Sequence, residues 1–337
     1  MERKLASLQR VREIAPIENA DAIELARING WQCVVKKGEF APGDLGVFFE
    51  IDAIPPESEL FAFLWKNEVP RPANFRIRTM KLRGALSQGL LMPLAAFPEL
   101  QGLPDGENVT NQLGVAKYEP PIPAGMGDYR APFPPLLSKT DEARVQSMPA
   151  VLEELRGLPY VITLKCDGTS ATYLLDPRDG LLHACGRNHS VTDGENHYWR
   201  VARKYDLEAK LQAHPNLAIQ AELVGPGIQK NRLGLKEVEL RVFDVWDLPT
   251  GKRLPHAEAR EVLTALALPV VDTVEEGENF SHTQESLLAL AEGFYEGTQN
   301  EREGIVIRPK TERHSEALAG RLSFKAISNR FLLKGGD

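Results

Sequence analysis

Six prolines fall within residues 119–137, at Pro120, Pro121, Pro123, Pro132, Pro134 and Pro135. Proline lacks a backbone N–H and fixes its φ, so neither a helix nor a central strand runs through such a stretch. The chain must divide there. It is read as residues 1–118, a proline-rich linker over 119–137, and residues 138–337. Two domains suit a chain of 337 residues, because single hydrophobic cores stop growing near that length.

Charge narrows the function. Forty Lys and Arg against 47 Asp and Glu give a net charge of -7, which excludes a protein that coats nucleic acid by overall charge; any such contact must be a local patch. At 42% hydrophobic and 26% charged, the composition is that of a folded globular protein. The N-terminal run MERKLASLQRVREI carries charge where an export signal needs an apolar core, and no stretch reaches the length of a membrane span. Cys33, Cys166 and Cys185 form no CxxC pair. Odd in number, they are expected as buried free thiols of a cytoplasmic protein, neither a disulfide framework nor a zinc site.

Upstream of the prolines, short apolar runs are separated by turn residues. Trp31, Cys33 and Val35 alternate with polar neighbours over Gly30–Lys36, Pro42-Gly43-Asp44 turns the chain into Leu45–Ile51, and further runs begin at Phe75 and Leu90. This pattern predicts an OB-like β-barrel of about five strands with little helix. Downstream, strands are expected at Tyr160–Leu164, Ala171–Leu175, Ala218–Val224, Leu240–Trp246, Gly304–Ile307 and Leu322–Ala326. Helical periodicity covers Val151–Arg156, Glu195–Ala213, His256–Ala267 and Gln284–Phe294. The fold class is therefore α+β with antiparallel sheets and flanking helices.

No Walker A loop and no GxGxxG is present, so neither common phosphate cradle applies. Attention falls on Val161 to Gly168, VITLKCDG. As a strand it puts Val161, Thr163 and Lys165 on one face and Ile162, Leu164 and Cys166 on the other, after which Asp167-Gly168 turns the chain. Alone this is weak, since Asp-Gly is also a good hairpin turn and KxDG arises by chance in roughly one chain in ten of this length. It has company in order: Gly186-Arg187-Asn188, Ala221-Glu222-Leu223-Val224-Gly225, Val242-Phe243-Asp244-Val245, Glu303-Gly304-Ile305-Val306-Ile307 and Ser323-Phe324-Lys325.

This ordered set resembles the motifs of the covalent nucleotidyltransferases, which comprise ATP- and NAD-dependent polynucleotide ligases and mRNA capping enzymes. The run Pro226 to Arg232, PGIQKNR, with the upstream segments GEFAPGDLGVFFEID and RTMKLRGALSQGLL, is similar to ATP-dependent RNA ligases of the Deinococcus radiodurans type over nearly the whole chain. The resemblance implies an OB-like nucleic-acid-binding domain followed by an adenylation domain. It implies ATP and Mg2+ or Mn2+ as cofactors, and RNA or a nicked duplex containing RNA as the partner.

The same resemblance assigns roles. Lys165 attacks the α-phosphorus of ATP to give a lysyl-AMP; AMP passes to an RNA 5′-phosphate, and a 3′-hydroxyl displaces it. Asp167 organises the lysine and, with Glu303, takes the metal. Arg187 contacts ribose or phosphate, Glu222 binds a ribose hydroxyl, Phe243 stacks on adenine and Lys325 holds the α-phosphate. Thr163, Leu164 and Gly168 complete the nucleotide site. An amine nucleophile must lose its proton, so the site has to depress a pKa that starts near about 10.4, by a nearby cation or by desolvation. Relatives often carry two lysines in the last motif; here Ser323 stands at the first place, and Arg308, ahead of Lys310 or Lys230, is the cation expected to compensate.

Two stretches offer local positive charge: Lys66, Arg71, Arg76, Arg78, Lys81 and Arg83 against Glu68 alone, and Arg321, Lys325, Arg330 and Lys334. Arg76, Arg78, Lys81, Arg83, Lys230 and Arg232 are the candidate nucleic-acid contacts. Only twelve residues follow Lys325, which leaves no room for a C-terminal OB domain of the kind DNA ligases and capping enzymes carry. An RNA ligase is therefore expected. A DNA ligase or guanylyltransferase with the same motifs, and a non-catalytic OB-type RNA-binding protein, stay open as alternatives.

Overall fold

The structure is a computed structural model, and it describes residues 3–65, 74–119 and 125–335. The chain forms two compact units. One comprises Met1–Pro120, Val145–Pro149 and Leu332–Asp337, and the other Pro121–Arg144 with Ala150–Phe331.

The first unit is built on a five-stranded antiparallel sheet in the order Trp31–Lys36, Ile23–Ile28, Ala6–Pro16, Leu45–Phe49, Leu90–Pro93. Ala6–Pro16 pairs with Leu45–Phe49 along its first half and with Ile23–Ile28 along its second, with a bulge between Val11 and Glu13. A strand that changes partner at a bulge bends and coils the sheet toward a barrel. Inside lie Ala6, Leu8, Val47, Phe49 and Met92, closed over by Phe61, Phe97 and Leu100. Within the described part of residues 3–119, helix is limited to three short 3-10 segments.

Three expected strands are present, whereas the run from Phe75 contributes only Thr79–Leu82. It pairs with Ala85–Gln88 in a separate hairpin, outside the five-stranded sheet. Arg83 and Gly84 form its two-residue turn, both with positive φ (47° and 86°), as the mirror-image hairpin turn requires. Ala6–Pro16 and Ile23–Ile28 were not anticipated. Arg10, Arg12 and Glu13 interrupt the first, and the bulge shifts its inward phase, so no simple alternation survives.

The second unit is built on two large sheets, together with a small two-stranded one, His314–Ser315 with Gly320–Arg321. A seven-stranded antiparallel sheet runs in the order Tyr129–Pro132, His189–Val191, Leu182–Cys185, Thr169–Leu175, Leu217–Val224, Glu239–Asp247, Lys252–Arg253. A five-stranded sheet runs Ala143–Arg144, Phe324–Ile327, Gly304–Pro309, Tyr160–Lys165, Thr273–Gly277, with only its first pair parallel. The helices His197–Lys204, Leu207–Ala213 and His256–Ala265 cover one face of the larger sheet. Tyr198, Leu207, Leu211 and Leu263 are buried there against Ile219, Ala221, Leu223, Leu240 and Val242. Each such side chain contributes about 1.5–3 kcal/mol relative to exposure. The helix expected over Glu195–Ala213 is two helices, broken where Asp206 adopts φ 51°, a left-handed conformation that Asp tolerates. Asn196 caps the first by accepting from the Trp199 N–H.

The described end of the proline-rich segment is built into this unit. Tyr129–Pro132 is an edge strand, and Phe133, Leu136 and Leu137 pack on Leu174, Cys185, Ala218 and Trp246. Residues 120–124 lie outside the described residues. Cys33, Cys166 and Cys185 are buried free thiols.

Gly89 joins the hairpin to Leu90–Pro93 with φ 105°, and a Cβ there would lie 2.5 Å from the Phe48 ring and 2.7 Å from the Phe49 carbonyl oxygen. Gly89→Ala is expected to destabilise the protein by about 2 kcal/mol or more, measured as a fall in denaturant midpoint. An unchanged midpoint would show that the strand end can shift freely.

Candidate active site

The strand Tyr160–Lys165 ends at the lysine, and the next strand, Thr169–Leu175, belongs to the other sheet. Cys166-Asp167-Gly168 is therefore the crossing between two sheets and not a hairpin turn. Cys166 anchors the crossing by packing with Val224 and Val271. Gly168 is required by close approach: a Cβ would sit 2.3 Å from the Leu223 carbonyl oxygen and 2.7 Å from Glu222 Cγ. The crossing thus brings the end of one sheet against the Glu222 strand of the other.

On the five-stranded sheet, Lys165 lies opposite Gly304, and Val306 lies opposite both Thr163 and Lys325. Opposed residues share a face, so Thr163, Lys165 and Lys325 point the same way. Lys165 Nζ is 2.8 Å from Glu303 Oε1. Asp167 Oδ2 is 3.0 Å from Arg232 Nε, and the Arg232 guanidinium also stacks on Phe331 at 4.6 Å.

These groups are strongly coupled. Burial disfavours the Lys165 charge, but Glu303, Glu222 and Asp167 outweigh it and hold the ammonium above its ordinary pKa. Burial pushes the Glu222 carboxyl up to about 8 against the pull of Lys165, with Glu303 and Asp167 adding like charge and Lys325 opposing them. Asp167 is raised to about 6, again by burial and by Glu303, with Arg232 and Lys165 working the other way. Two carboxyls pushed up beside one over-stabilised ammonium describe a site short of positive charge. Among the described residues, no three His, Cys, Asp or Glu side chains group as a ready-made metal site.

The larger sheet adds Phe243. Ala221 pairs with Val242 and Gln220 with Asp244, which leaves Phe243 as the extra residue of a bulge. Bulges re-aim side chains beside functional sites. Phe243 shares a cleft with Thr163 and Arg308. Leu164, on the other strand face, packs its side chain against Cys166, Val224 and Val271.

With this geometry in place, comparison with known proteins is informative. An OB-fold domain model matches residues 5–94, and an RNA ligase model matches residues 158–327. The chain belongs to the RNA ligase family. The structure of Naegleria gruberi RNA ligase with pyrophosphate is 37% identical, with TM-score 0.89 over 100% of both chains. A lysine-to-methionine variant of that enzyme with AMP and Mn matches at 37% identity and TM-score 0.89 over 98% of each chain. A glutamate-to-alanine variant with ATP and Mn does so at 37% and 0.89, over 99% of this chain and 100% of that one. No curated protein sequence was matched. The expected architecture, an OB-fold domain followed by a nucleotidyltransferase domain of mostly antiparallel sheets, is the one found.

In this RNA ligase the other expected site residues are distributed unevenly. Arg187 is exposed and pairs with Asp141 at 2.7 Å. Arg308, expected to supply the cation missing at Ser323, is buried and fully engaged. It donates from Nε to Ser323 Oγ (3.0 Å), from Nη1 to the Phe243 carbonyl (3.2 Å) and Asp244 (3.4 Å), and from Nη2 to Glu142 (3.1 Å). Ser323 is thus the acceptor for an arginine, where a second lysine would meet its charge. Asp244 also receives Arg321 at 2.6 Å and Arg253 at 3.2 Å. Burial opposes the Asp244 charge, but these three arginines overcome it and hold the carboxyl well below the usual range. Lys310 pairs with Glu276 and Glu278, and Lys230 is exposed.

The basic stretches are also corrected in part. Arg76 is taken up by Asp52 at 2.6 Å and stacks on Tyr118, Arg232 is committed to Asp167, and Arg321 is committed to Asp244 and Glu312. None of the three is a free surface cation. Arg78, Lys81 and Arg83 are exposed, while Lys66 and Arg71 lie outside the described residues. Arg232 stood in a run already singled out, so its proximity to the motif was partly signalled. Tyr295, which contacts the site backbone, had no such signal; an aromatic residue after a helix reads as core.

Glu222 gives a pH test. Its carboxyl is raised from 4.5 to about 8, so between those values the folded state holds a proton that the unfolded state releases, and stability falls as pH rises through that window. Glu222→Gln is expected to stabilise the protein at pH 9 by about 1 kcal/mol or more and to have little effect at pH 5. Thermal unfolding at both pH values checks this, and equal effects would refute the burial argument.

Proposed function

We propose that this RNA ligase is ATP-dependent and seals 3′-hydroxyl and 5′-phosphate RNA ends through a covalent lysyl-AMP on Lys165. The observation that carries the reading is the meeting of Lys165 with Glu303, Glu222 and Asp167 where one sheet crosses to the other. The similar Naegleria gruberi structures support it, since they hold pyrophosphate, AMP with Mn, or ATP with Mn. In this reading residues 1–118 are the nucleic-acid-binding domain, 119–137 the linker, and 138–337 the adenylation domain, working in the cytoplasm.

Asp167 and Glu303 offer hard carboxylate oxygens in a site short of positive charge, which fits Mg2+ or Mn2+; such ions are commonly held by one or two carboxylates together with substrate phosphates. When bound, the cation supplies charge neutralisation for the triphosphate and for these carboxylates. With such a cation held by Glu303 and Asp167, less negative charge would keep the proton on Lys165 Nζ, and the ammonium would release it to solvent to give the free amine. Lys165 then attacks the α-phosphorus and pyrophosphate leaves. The chain's part is positioning and charge. Lys325 balances the α-phosphate, Glu222 takes a ribose hydroxyl, Phe243 stacks on the base, and Thr163, Leu164 and Gly168 line the nucleotide with backbone and small side chains. Arg187 reaches ribose or phosphate after releasing Asp141, and Arg308 contributes by fixing Ser323 and Phe243. AMP passes next to the RNA 5′-phosphate, and the 3′-hydroxyl displaces it. The Deinococcus-type resemblance adds a preference for nicked duplexes with RNA on the 3′-hydroxyl side.

Incubation with Mg2+ or Mn2+ and ATP labelled at the α-phosphate tests the chemistry. An acid-labile protein label is expected from ATP, not from GTP or NAD, and none is expected in Lys165→Ala. A label that survives the substitution would overturn the lysine's role. Nicked duplexes with none, one or two ribonucleotides at the 3′-hydroxyl end test the substrate, with sealing expected only when ribonucleotides are present.

Of the candidate contacts, Arg78, Lys81 and Arg83 are exposed on the first unit and are assigned to the RNA backbone, with Lys230, also exposed, on the second. Reversing Lys81 and Arg83 together (Lys81→Glu, Arg83→Glu) is expected to weaken RNA binding and flatten its salt dependence by about one logarithmic unit per lost phosphate contact. Self-adenylation should be unchanged. A salt slope equal to that of the wild type would remove the hairpin from the interface.

A further inference from the structure

Tyr295 stands just after the helix Gln284–Ala291 and is 3% exposed. Its hydroxyl donates to the Lys165 carbonyl at 3.1 Å and accepts the N–H of Asp167 at 2.9 Å and the N–H of Glu303 at 3.1 Å. One donor and two lone pairs are the whole capacity of a phenol, and all three are spent on three residues of the proposed site.

We infer that Tyr295 is a positioning residue for self-adenylation, holding the Lys165 and Asp167 backbone in register with that of Glu303. The inference rests on the reading of Lys165 as the nucleophile. Lys165 and Asp167 sit at the crossing between sheets, where the strand hydrogen bonds that fix the rest of Tyr160–Lys165 run out. Glu303 sits one residue before its own strand, Gly304–Pro309. The ladder ends at the Lys165–Gly304 pair, so Asp167 and Glu303 lie just beyond it, with the Glu303 carbonyl accepting from the Ser328 N–H on its far side. The Tyr295 hydroxyl extends the cross-link past that end through backbone groups, so it acts whatever the side chains of Lys165 and Glu303 are doing. The phenol is itself fixed from behind. Thr298 Oγ1 donates to the Tyr295 carbonyl, and the Tyr295 N–H donates to the Asn300 carbonyl. Asn300 in turn donates to the carbonyl of Arg232, whose side chain pairs with Asp167. Tyr295 therefore ties Lys165 and Glu303 to each other and to the loop that orients Asp167. Its hydroxyl bonds only to backbone groups of these residues, so its removal takes away none of the side chains assigned to ATP.

Tyr295→Phe keeps the ring and removes only the hydroxyl. The expected result is a fall in the rate of lysyl-AMP formation at saturating ATP of about 10- to 100-fold, the scale of a misplacement near 1 Å, with KM for ATP within about twofold of wild type. Tyr173→Phe is the structural control: its buried hydroxyl also donates to a backbone carbonyl, that of Tyr198, in the core between the larger sheet and its helices, and bonds to none of Lys165, Asp167 and Glu303. It should lower thermal stability and leave the adenylation rate alone. Backbone amide exchange on the unmodified protein is independent of any variant, and the N–H groups of Asp167 and Glu303 should both be protected. Absence of labelling in the wild type would defeat the lysine reading itself. Wild-type labelling with an unchanged rate in Tyr295→Phe, a change in KM alone, a loss matched by Tyr173→Phe at equal destabilisation, or rapid exchange at both amides would each overturn the role of Tyr295.

Discussion

The contact between Lys165 and Glu303 sets the ammonium of the proposed nucleophile against a group that keeps it protonated. Around it, Glu222 and Asp167 deepen the same effect. A buried pair of this kind is weak evidence for stability, because desolvation absorbs much of the attraction. Its sense is chemical. The site holds the amine protonated and its carboxylates under-neutralised, and in the proposed mechanism both conditions are relieved by the same event, the arrival of positive charge with the nucleotide.

The remainder of the second unit can be read as support for that contact. Gly168 and Gly304 stand where any Cβ would strike the carbonyl oxygen of Leu223 or Ala326, so the strands close in behind the lysine and the glutamate. Asp244 takes a different role from the motif carboxylates. Held ionised by three arginines, it fixes Arg308, and through Arg308 both Ser323 and the backbone of Phe243. A permanently charged, self-neutralised cluster thus accompanies a cluster around Lys165 that is left out of balance.

Much of this was legible in the chain. Where a strand is regular, as in Tyr160–Lys165 or Leu217–Val224, alternation located it to within a residue or two, and the ordered motifs identified Lys165, Asp167, Glu222, Glu303 and Lys325, which the fold brings together. What escaped depended on geometry across the chain. Arg76, Arg232, Arg308 and Arg321 look like surface cations in one dimension, because the acids that neutralise them lie between 9 and 166 residues away or, for Asp167, 65. Tyr295 gave no signal since its contacts are to backbone, which has no identity in a sequence. Ala6–Pro16 was hidden by its bulge.

The bulge at Phe243 has a consequence for how this strand tolerates change. Before it, Leu240 and Val242 face the helices; after it, Val245 does, so parity reverses within one strand. A rule of substitution learned on one half is inverted on the other: a polar residue harmless at an odd position before the bulge becomes a buried one at an odd position after it. The inserted residue divides the strand into two stretches in which odd and even positions hold opposite roles toward the helix-covered core. A single deletion there would exchange those roles for every position downstream.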